Sequence, residues 1–321
     1  MNIKDSIQIN KTKYTLQSTV IVTSLAVFCC LLWGSAFPCI KLGYRLFEIP
    51  SGDTASQILF AGVRFSLAGI LTILAGSLIQ KKFLVPKKES LFSVLKLSLF
   101  QTVLQYVFFY IGLAHTTGVK GSIVNAVNVF FSILVSCLLF RLEKLDRKKF
   151  AGCIIGFIGV VIVNLGGSFE MKFNFLGDGF LMISAFAYAL STVLIKIYGK
   201  KENPVVLSGY QFFIGGLMMV AAGASFGGKI AVATVSGLLL LSYMAFISAG
   251  AYTIWSLLLK YNPVSRVAVF GFCTPVFGVI LSAILLGEQT GVQLKTVVAL
   301  LFVCAGIVVV NYKKATIINN L

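Results

Sequence analysis

The residues of this chain that packing explains least are Arg64, Gln101, Gln105, Tyr106, Asn125 and Asn128, because each interrupts a long apolar run. Arg64 stands in FAGVRFSLAG (60–69). A charge at mid-helix in hydrocarbon costs about 2.5–3.5 kcal/mol on insertion scales, so it needs a partner. The segment's centre falls near Ala68, which puts Arg64 about 6 Å to one side at a rise of about 1.5 Å per residue. No Asp or Glu lies at a comparable depth. The guanidinium is left with backbone carbonyls, side-chain amides, water or a substrate anion. It is either a structural arginine, tied to carbonyls or snorkelling outward, or a substrate contact. Gln101 and Gln105 are four apart and so share a helix face, with Tyr106 beside them. Ser122, Asn125, Asn128 (or Val129), Ser132 and Ser136 follow one another in steps of three and four, a polar stripe along one helix face. Such a stripe gains nothing by facing lipid. Interhelical hydrogen bonding needs one or two such groups. Arg64, Gln101, Gln105, Asn125 and Asn128 share one central-to-outer level, and five at one depth point instead to the wall of a substrate cavity.

The second half of the chain offers rings and hydroxyls. Ser184, Tyr188 and Ser191 share one segment, Tyr210 and Gln211 another, and Ser248, Tyr252, Trp255 and Ser256 a third, while Trp33 and Phe37 lie near the start of the chain. Buried Tyr and Trp seek a partner for the O–H or N–H, and their rings make apolar walls. Trp33, Tyr188, Tyr252 and Trp255 therefore join the candidate cavity, which suits a semi-polar organic solute; core packing is the plainer alternative for any one of them. Pro275 lies near the centre of its segment, frees the carbonyl of Gly271 and is read as a gating bend.

The elements that must position these residues follow from composition. Of 321 residues, 58% are hydrophobic and 12% are charged, against about 25% charged in a soluble domain. Mean hydropathy is +0.96. A soluble globule of this size cannot hide so much apolar side chain, which excludes a soluble enzyme, a disordered chain and a disulfide scaffold. The seven cysteines form no C-x-x-C pair and read as small apolar side chains. A polar tail (1–17) precedes ten apolar runs, roughly 18–42, 56–79, 91–113, 118–140, 149–166, 176–198, 205–225, 235–260, 264–287 and 291–311. The first is too long for a signal peptide and is expected to remain. The expected fold is an all-α integral membrane protein of ten helices.

Net charge is +17. In a soluble chain that would suggest nucleic acid; here it reads as loop asymmetry, and no nucleic-acid partner is expected. With the N-terminus inside, eighteen of the 27 basic side chains fall on the inner side and only Arg45, Lys120, Lys172 and Lys229 on the outer. Both termini are therefore expected in the cytoplasm of a multi-pass cell-membrane protein.

The runs read as two copies of five, 18–166 and 176–312. FAGVRFSLAG (60–69) aligns with LSGYQFFIGG (207–216), so that Gly62 meets Gly209, Phe65 meets Phe212 and Gly69 meets Gly216. Trp33 to Lys41 has the spacing of Tyr188 to Lys196. Glu143 and Glu288 close corresponding runs, and GVVIVN (159–164) corresponds to GIVVVN (306–311). Five is odd, so the second copy enters the membrane from the other side, an inverted repeat of the kind that rocks about a midplane site in transporters.

Taken in order, LLWGSAFPCIKLG (31–43), GVRFSLAG (62–69), LLFRLEKLDRKKFAGCIIGFIGVVIVN (138–164) and TPVFGVILSAILLGEQTG (274–291) resemble EamA-type members of the drug/metabolite transporter superfamily, over roughly 25–312. The resemblance implies a ten-helix exporter or permease of small metabolites, with amino acids and related compounds as the leading solutes. Arginine at the place of Arg64 is common in that family. The chain departs from it at Phe130, where the counterpart of Pro275 would be proline.

Absent motifs narrow the reading. There is no G-x-x-x-x-G-K-[ST] loop for ATP, no H-E-x-x-H zinc pattern and no pair of Asp-rich motifs for magnesium diphosphate. Neither enzyme activity nor a cofactor or metal is expected. No carboxylate lies mid-span, which favours diffusion or exchange down a solute gradient; proton coupling would have to run through His115 or a helix-end acid. The expected partners are a small-molecule substrate and the lipid bilayer. Gly152, Gly156 and Gly159 permit close helix approach and read as packing, with a homodimer contact as a further use. The rival readings are a nucleoside, sugar-derivative or drug permease of the same fold, and a lipid-handling membrane protein that transports nothing.

Overall fold

The computed structural model describes residues 14–50, 52–116, 121, 124–164, 173–230, 234–286 and 294–312. Among them no strand occurs. The helices are α1 (Thr19–Leu46), α2 (Thr54–Ile79), α3 (Lys88–Leu113), α4 (Val124–Leu139), α5 (Arg147–Asn164), α6 (Phe175–Tyr198), α7 (Pro204–Ser225), α8 (Val235–Tyr261), α9 (Val264–Leu285) and α10 (Leu294–Asn311). Seven of these, α1–α3 and α6–α9, are long and apolar enough to cross a membrane. The runs expected at 118–140, 149–166 and 291–311 appear as the shorter α4, α5 and α10, whose flanks at 117–120, 122–123, 165–172 and 287–293 lie outside the described residues. Ser122 and Glu288 lie there too.

Local signals set the helix starts. The carboxylate of Asp53 accepts from the Ser56 N–H at 2.9 Å at the head of α2. Asn203 caps α7, with Pro204 in its first turn, and Thr234 caps α8. These side chains satisfy N–H groups that a helix start leaves without partners.

Small residues then bring helices together in pairs. A Cβ on Gly62 of α2 would lie 2.9 Å from the Gly216 carbonyl of α7, and one on Gly69 would lie 2.7 Å from the Gly209 carbonyl. The α5–α10 pair is built alike: Gly152 lies against the Gly306 carbonyl and Gly159 against the Ala299 carbonyl. Gly156 takes the ring of Phe272 from α9. This corrects the dimer use of the Gly152, Gly156 and Gly159 stripe. The stripe is filled inside the chain, so it is not open to a second copy. Six of the seven cysteines are buried and all are free, as small packing residues would be.

Three stretches widen to π turns, Ser98–Leu104 in α3, Val135–Leu139 in α4 and Phe175–Gly179 in α6. The first matters for the site, because a π turn carries an extra residue and shifts the register of the side chains on either side of it.

Candidate functional site

A cavity of about 130 Å³ lies at mid-length of α1, α6, α8 and α9, beside the second half of α3 and the start of α4. That is several times the ~10–15 Å³ that one water needs. Nine of the expected residues line it: Arg64, Gln105, Tyr106, Asn125, Asn128, Trp33, Tyr188, Tyr252 and Pro275. Two do not. Gln101, 1% exposed, lies inside the π turn Ser98–Leu104 and does not reach the void. Trp255 stands behind Trp33, ring centroids 4.9 Å apart, and supports the wall without reaching the void.

The polar stripe of α4 divides. Asn125 and Asn128 face the void, whereas Ser132 donates back to the Asn128 carbonyl at 2.7 Å and Ser136 donates to Glu143 at 3.1 Å. Several second-half hydroxyls are likewise structural. Ser184 donates to the Gln105 carbonyl, Ser208 pairs with Ser256, and Tyr210 donates to the Leu84 carbonyl. Phe37, Ile40, Phe109, Gly271 and Thr274 also line the cavity. Of these, Phe37 and, through the carbonyl freed by Pro275, Gly271 were noted from the sequence.

Arg64 is 3% exposed. Its Nε donates to the Met244 carbonyl at 3.3 Å and its Nη2 to Ser248 Oγ at 3.0 Å, both on α8. Its guanidinium stands 5.1 Å from the Phe65 ring centroid. Among the described residues no carboxylate pairs with it, and none lines the cavity. A guanidinium has five N–H donors, so two bonds leave it with capacity for an anion. The Trp33 Nε1 and Gln105 Oε1 atoms are buried without partners. Unpaired buried polar atoms are uncommon, and both of these belong to residues that line the void.

The apolar wall is continuous. Trp33 meets Tyr252 edge-on at 5.0 Å, Tyr252 meets Phe212 at 4.8 Å, and Phe65 meets Tyr106 at 4.4 Å. The two tyrosine hydroxyls, Tyr106 and Tyr252, lie 2.8 Å apart.

Toward the α8–α9 turn the interior is solid, with Leu258, Leu259, Val264 and Val267 fully buried. Glu143, after α4, closes this end. It accepts from the N–H groups of Val264 and Ser265, from the Ser265 hydroxyl and from Lys149 at 3.1 Å. Burial would raise its carboxyl, but the Ser265 hydroxyl and the Lys149 ammonium outweigh this and hold it below the usual carboxylate range. Arg266 donates to the Gln17 carbonyl and Asn262 to the Leu16 carbonyl, which ties the start of the chain to the same turn. His115 lies at the far end of α3, exposed, its Nδ1 2.8 Å from the Ile111 carbonyl.

The chain is similar to known proteins over nearly its whole length. A protein of Archaeoglobus fulgidus named an uncharacterized transporter is 28% identical over 302 residues, 92% of this chain and 99% of that one. Proteins of Escherichia coli K12 and Salmonella typhimurium, each named a probable amino-acid metabolite efflux pump, are 26% and 28% identical over 84% of this chain, and the match covers 88% and 89% of those proteins. A solved crystal structure superposes with a TM-score of 0.74 at 15% identity, over 92% of this chain and 97% of that one, a likeness of fold. The model of the EamA-like transporter family matches twice, over residues 20–165 and 175–312. The chain is a multi-helix membrane transporter and belongs to the EamA-like transporter family.

Proposed function

We propose that this transporter moves small organic metabolites, amino acids and related compounds first among them, outward across the cell membrane by alternating access. The observation that carries this is the cavity itself: an arginine with unused donors, amides of Gln105, Asn125 and Asn128, and an aromatic wall, with no carboxylate among the lining residues. A carboxylate would seat on Arg64, the amides would fix polar groups, and the rings would hold a side chain. The names of the Escherichia coli and Salmonella typhimurium relatives support the solute class and the direction.

The proposed architecture is ten spanning helices in two inverted five-helix repeats, with both termini cytoplasmic. The double family match and the reciprocal contacts of α2 with α7 and of α5 with α10 support it. The excess of basic residues in loops on one side supports the orientation. On this reading the Glu143 end is the closed inner gate and Pro275 the bend that lets α9 move. The protein itself catalyses no reaction and needs no cofactor.

The test is flux in proteoliposomes. A panel of amino acids, nucleosides, sugar derivatives and cationic drugs is offered to the wild-type protein and to Arg64→Ala. Saturable amino-acid flux that the substitution removes is the expected result. Preference for another solute class overturns the substrate assignment, and tight lipid binding without any flux overturns transport.

A further inference from the structure

Pro275 alters the cavity wall as well as the path of α9. A helical carbonyl normally accepts from the N–H four residues on, and proline has no N–H to give. Two helices at the cavity carry the same spacing, Gly34 to Pro38 in α1 and Gly271 to Pro275 in α9. They use it differently. α1 stays α-helical through Pro38, and Gly34 is buried against Phe277 and Gly278. α9 instead tightens to a 3-10 turn over Val269–Phe272, where the Cys273 N–H turns to the Phe270 and Gly271 carbonyls, so that the Gly271 oxygen keeps a lone pair but has no α-helical partner; Gly271, Thr274 and Pro275 all line the void. A Cβ built on Gly271 would meet Val129 Cγ2 at 3.1 Å and Asn128 Oδ1 at 4.0 Å and nothing nearer. Val129 and Asn128, both on α4, are therefore the side chains that stand beside this stretch of backbone. The preceding carbonyl, of Phe270, is already engaged by Cys30 Sγ at 3.1 Å.

An amino acid brings an ammonium group as well as a carboxylate. An ammonium presents three donors and no acceptor, so each must find an oxygen once water is left behind. No carboxylate lines this cavity, and neutral oxygens must serve. Broken helices in transporters offer unwound backbone carbonyls to cations in this way.

We infer that the Gly271 carbonyl, together with Asn128 Oδ1, is the acceptor site for the ammonium group of the transported solute, while Arg64 in the same cavity takes its carboxylate. The inference rests on the amino-acid reading above and adds the backbone group that reads the amine. The proline that bends α9 is then also what makes the solute's amine legible.

Pro275→Ala returns an N–H that bonds the Gly271 carbonyl, without removing any side chain that could contact the solute's polar groups. The full-length protein in proteoliposomes is assayed with L-phenylalanine and with 3-phenylpropanoate, which keeps the ring and carboxylate and lacks the ammonium. KM and the thermal shift given by each probe are measured for the wild type, Pro275→Ala and Asn128→Leu. The expected result is that each substitution raises KM for L-phenylalanine at least fivefold more than KM for 3-phenylpropanoate. Asn128→Leu carries the test should Pro275→Ala fail to fold. Equal loss of turnover for both probes with their KM ratio unchanged means that Pro275 is only a bend, and overturns the inference. A wild type that handles both probes with equal KM also overturns it while leaving transport of carboxylates standing. A wild type that neither moves nor is stabilised by either probe overturns the amino-acid reading and this inference together.

Discussion

Phe65 on α2 and Phe212 on α7 stack face to face, their centroids 5.4 Å apart and their planes 9° from parallel, both fully buried. They are also corresponding residues of the two aligned segments. Around them the contacts exchange: Gly62 meets Gly216, the counterpart of Gly69, and Gly69 meets Gly209, the counterpart of Gly62. A residue that touches its own counterpart, flanked by exchanged pairs, is the pattern that the proposed inverted repeat requires, with its local twofold axis between the rings. The stack also supports the cavity. Phe65 leans on Tyr106 and Phe212 on Tyr252, the two tyrosines whose hydroxyls meet.

Phe65→Ala and Phe212→Ala should each destabilise the protein by about 3–5 kcal/mol, the range for removing a buried ring. Because the two rings share one contact, the double variant should fall short of the sum by more than the ~0.3–0.5 kcal/mol scatter seen for independent sites. Unfolding in detergent, followed by intrinsic fluorescence for all four proteins, reads this directly. Strict additivity would mean that the rings do not support one another.

The helix pairing makes a sharper distinction among glycines. A Cβ on Gly69 would stand 2.4 Å from the Phe213 nitrogen, a backbone atom that cannot turn aside. Gly69→Ala should therefore force α2 and α7 apart and cost about 1–3 kcal/mol. Gly250, inside α8, has nothing within 4 Å of its own Cβ position. Gly250→Ala should be neutral or stabilising by up to about 1 kcal/mol, the helix-propensity difference. Thermal unfolding of the two single variants measures both signs.

Much of this arrangement is legible in the sequence, and what is not has a physical cause. Arg64, Asn125 and Asn128 declare themselves because charge and amide groups are costly in lipid, so their presence already implies a wall or a partner. The correspondence of 60–69 with 207–216 is visible in Gly62, Phe65 and Gly69 because small and aromatic residues recur there at fixed spacing. Contact between the two segments is not visible, since alignment says which residues correspond and nothing about which ones touch. Gln101 misleads because a four-residue spacing puts it on the face of Gln105 only in a regular α-helix, and the π turn at Ser98–Leu104 changes that register. Trp255 misleads because both a wall ring and a ring one layer behind it are buried aromatics. Thr274 is silent for the opposite reason: a threonine in an apolar helix can satisfy its hydroxyl locally, so nothing in the sequence sends it to a cavity.

Glu143 predicts a pH dependence. Its folded carboxyl lies below the ordinary 4.5, so its contribution to stability is complete above that value and is lost as pH falls through the folded value. Between about pH 6 and 8 this group should leave stability flat. Glu143→Gln keeps an acceptor for Val264 and Ser265 but gives up the ion pair with Lys149, and should cost about 1–3 kcal/mol at neutral pH. The gap between wild type and variant should close in acid, which a pH series of melting temperatures resolves. A gap that persists well below pH 4.5 would show that the carboxylate's charge is not what ties α4 to α9.

Arg64 separates structure from transport. Its removal orphans little, because Ser248 Oγ already donates to the Met244 carbonyl at 3.2 Å and that carbonyl keeps an intrahelical role. Arg64→Ala should therefore lower the melting temperature only slightly while water enters the enlarged void. The solute would lose a charge-assisted bond worth about 1.5–3 kcal/mol, which is roughly a tenfold to hundredfold rise in KM for a carboxylate-bearing solute. Arg64→Lys keeps the charge but not the planar fork that holds α8 with two nitrogens and leaves others free, so it should recover only part of the loss. Should Arg64→Ala unfold the protein, or keep KM while losing stability, the guanidinium would be a brace between α2 and α8 and the carboxylate would have to bind elsewhere in the cavity.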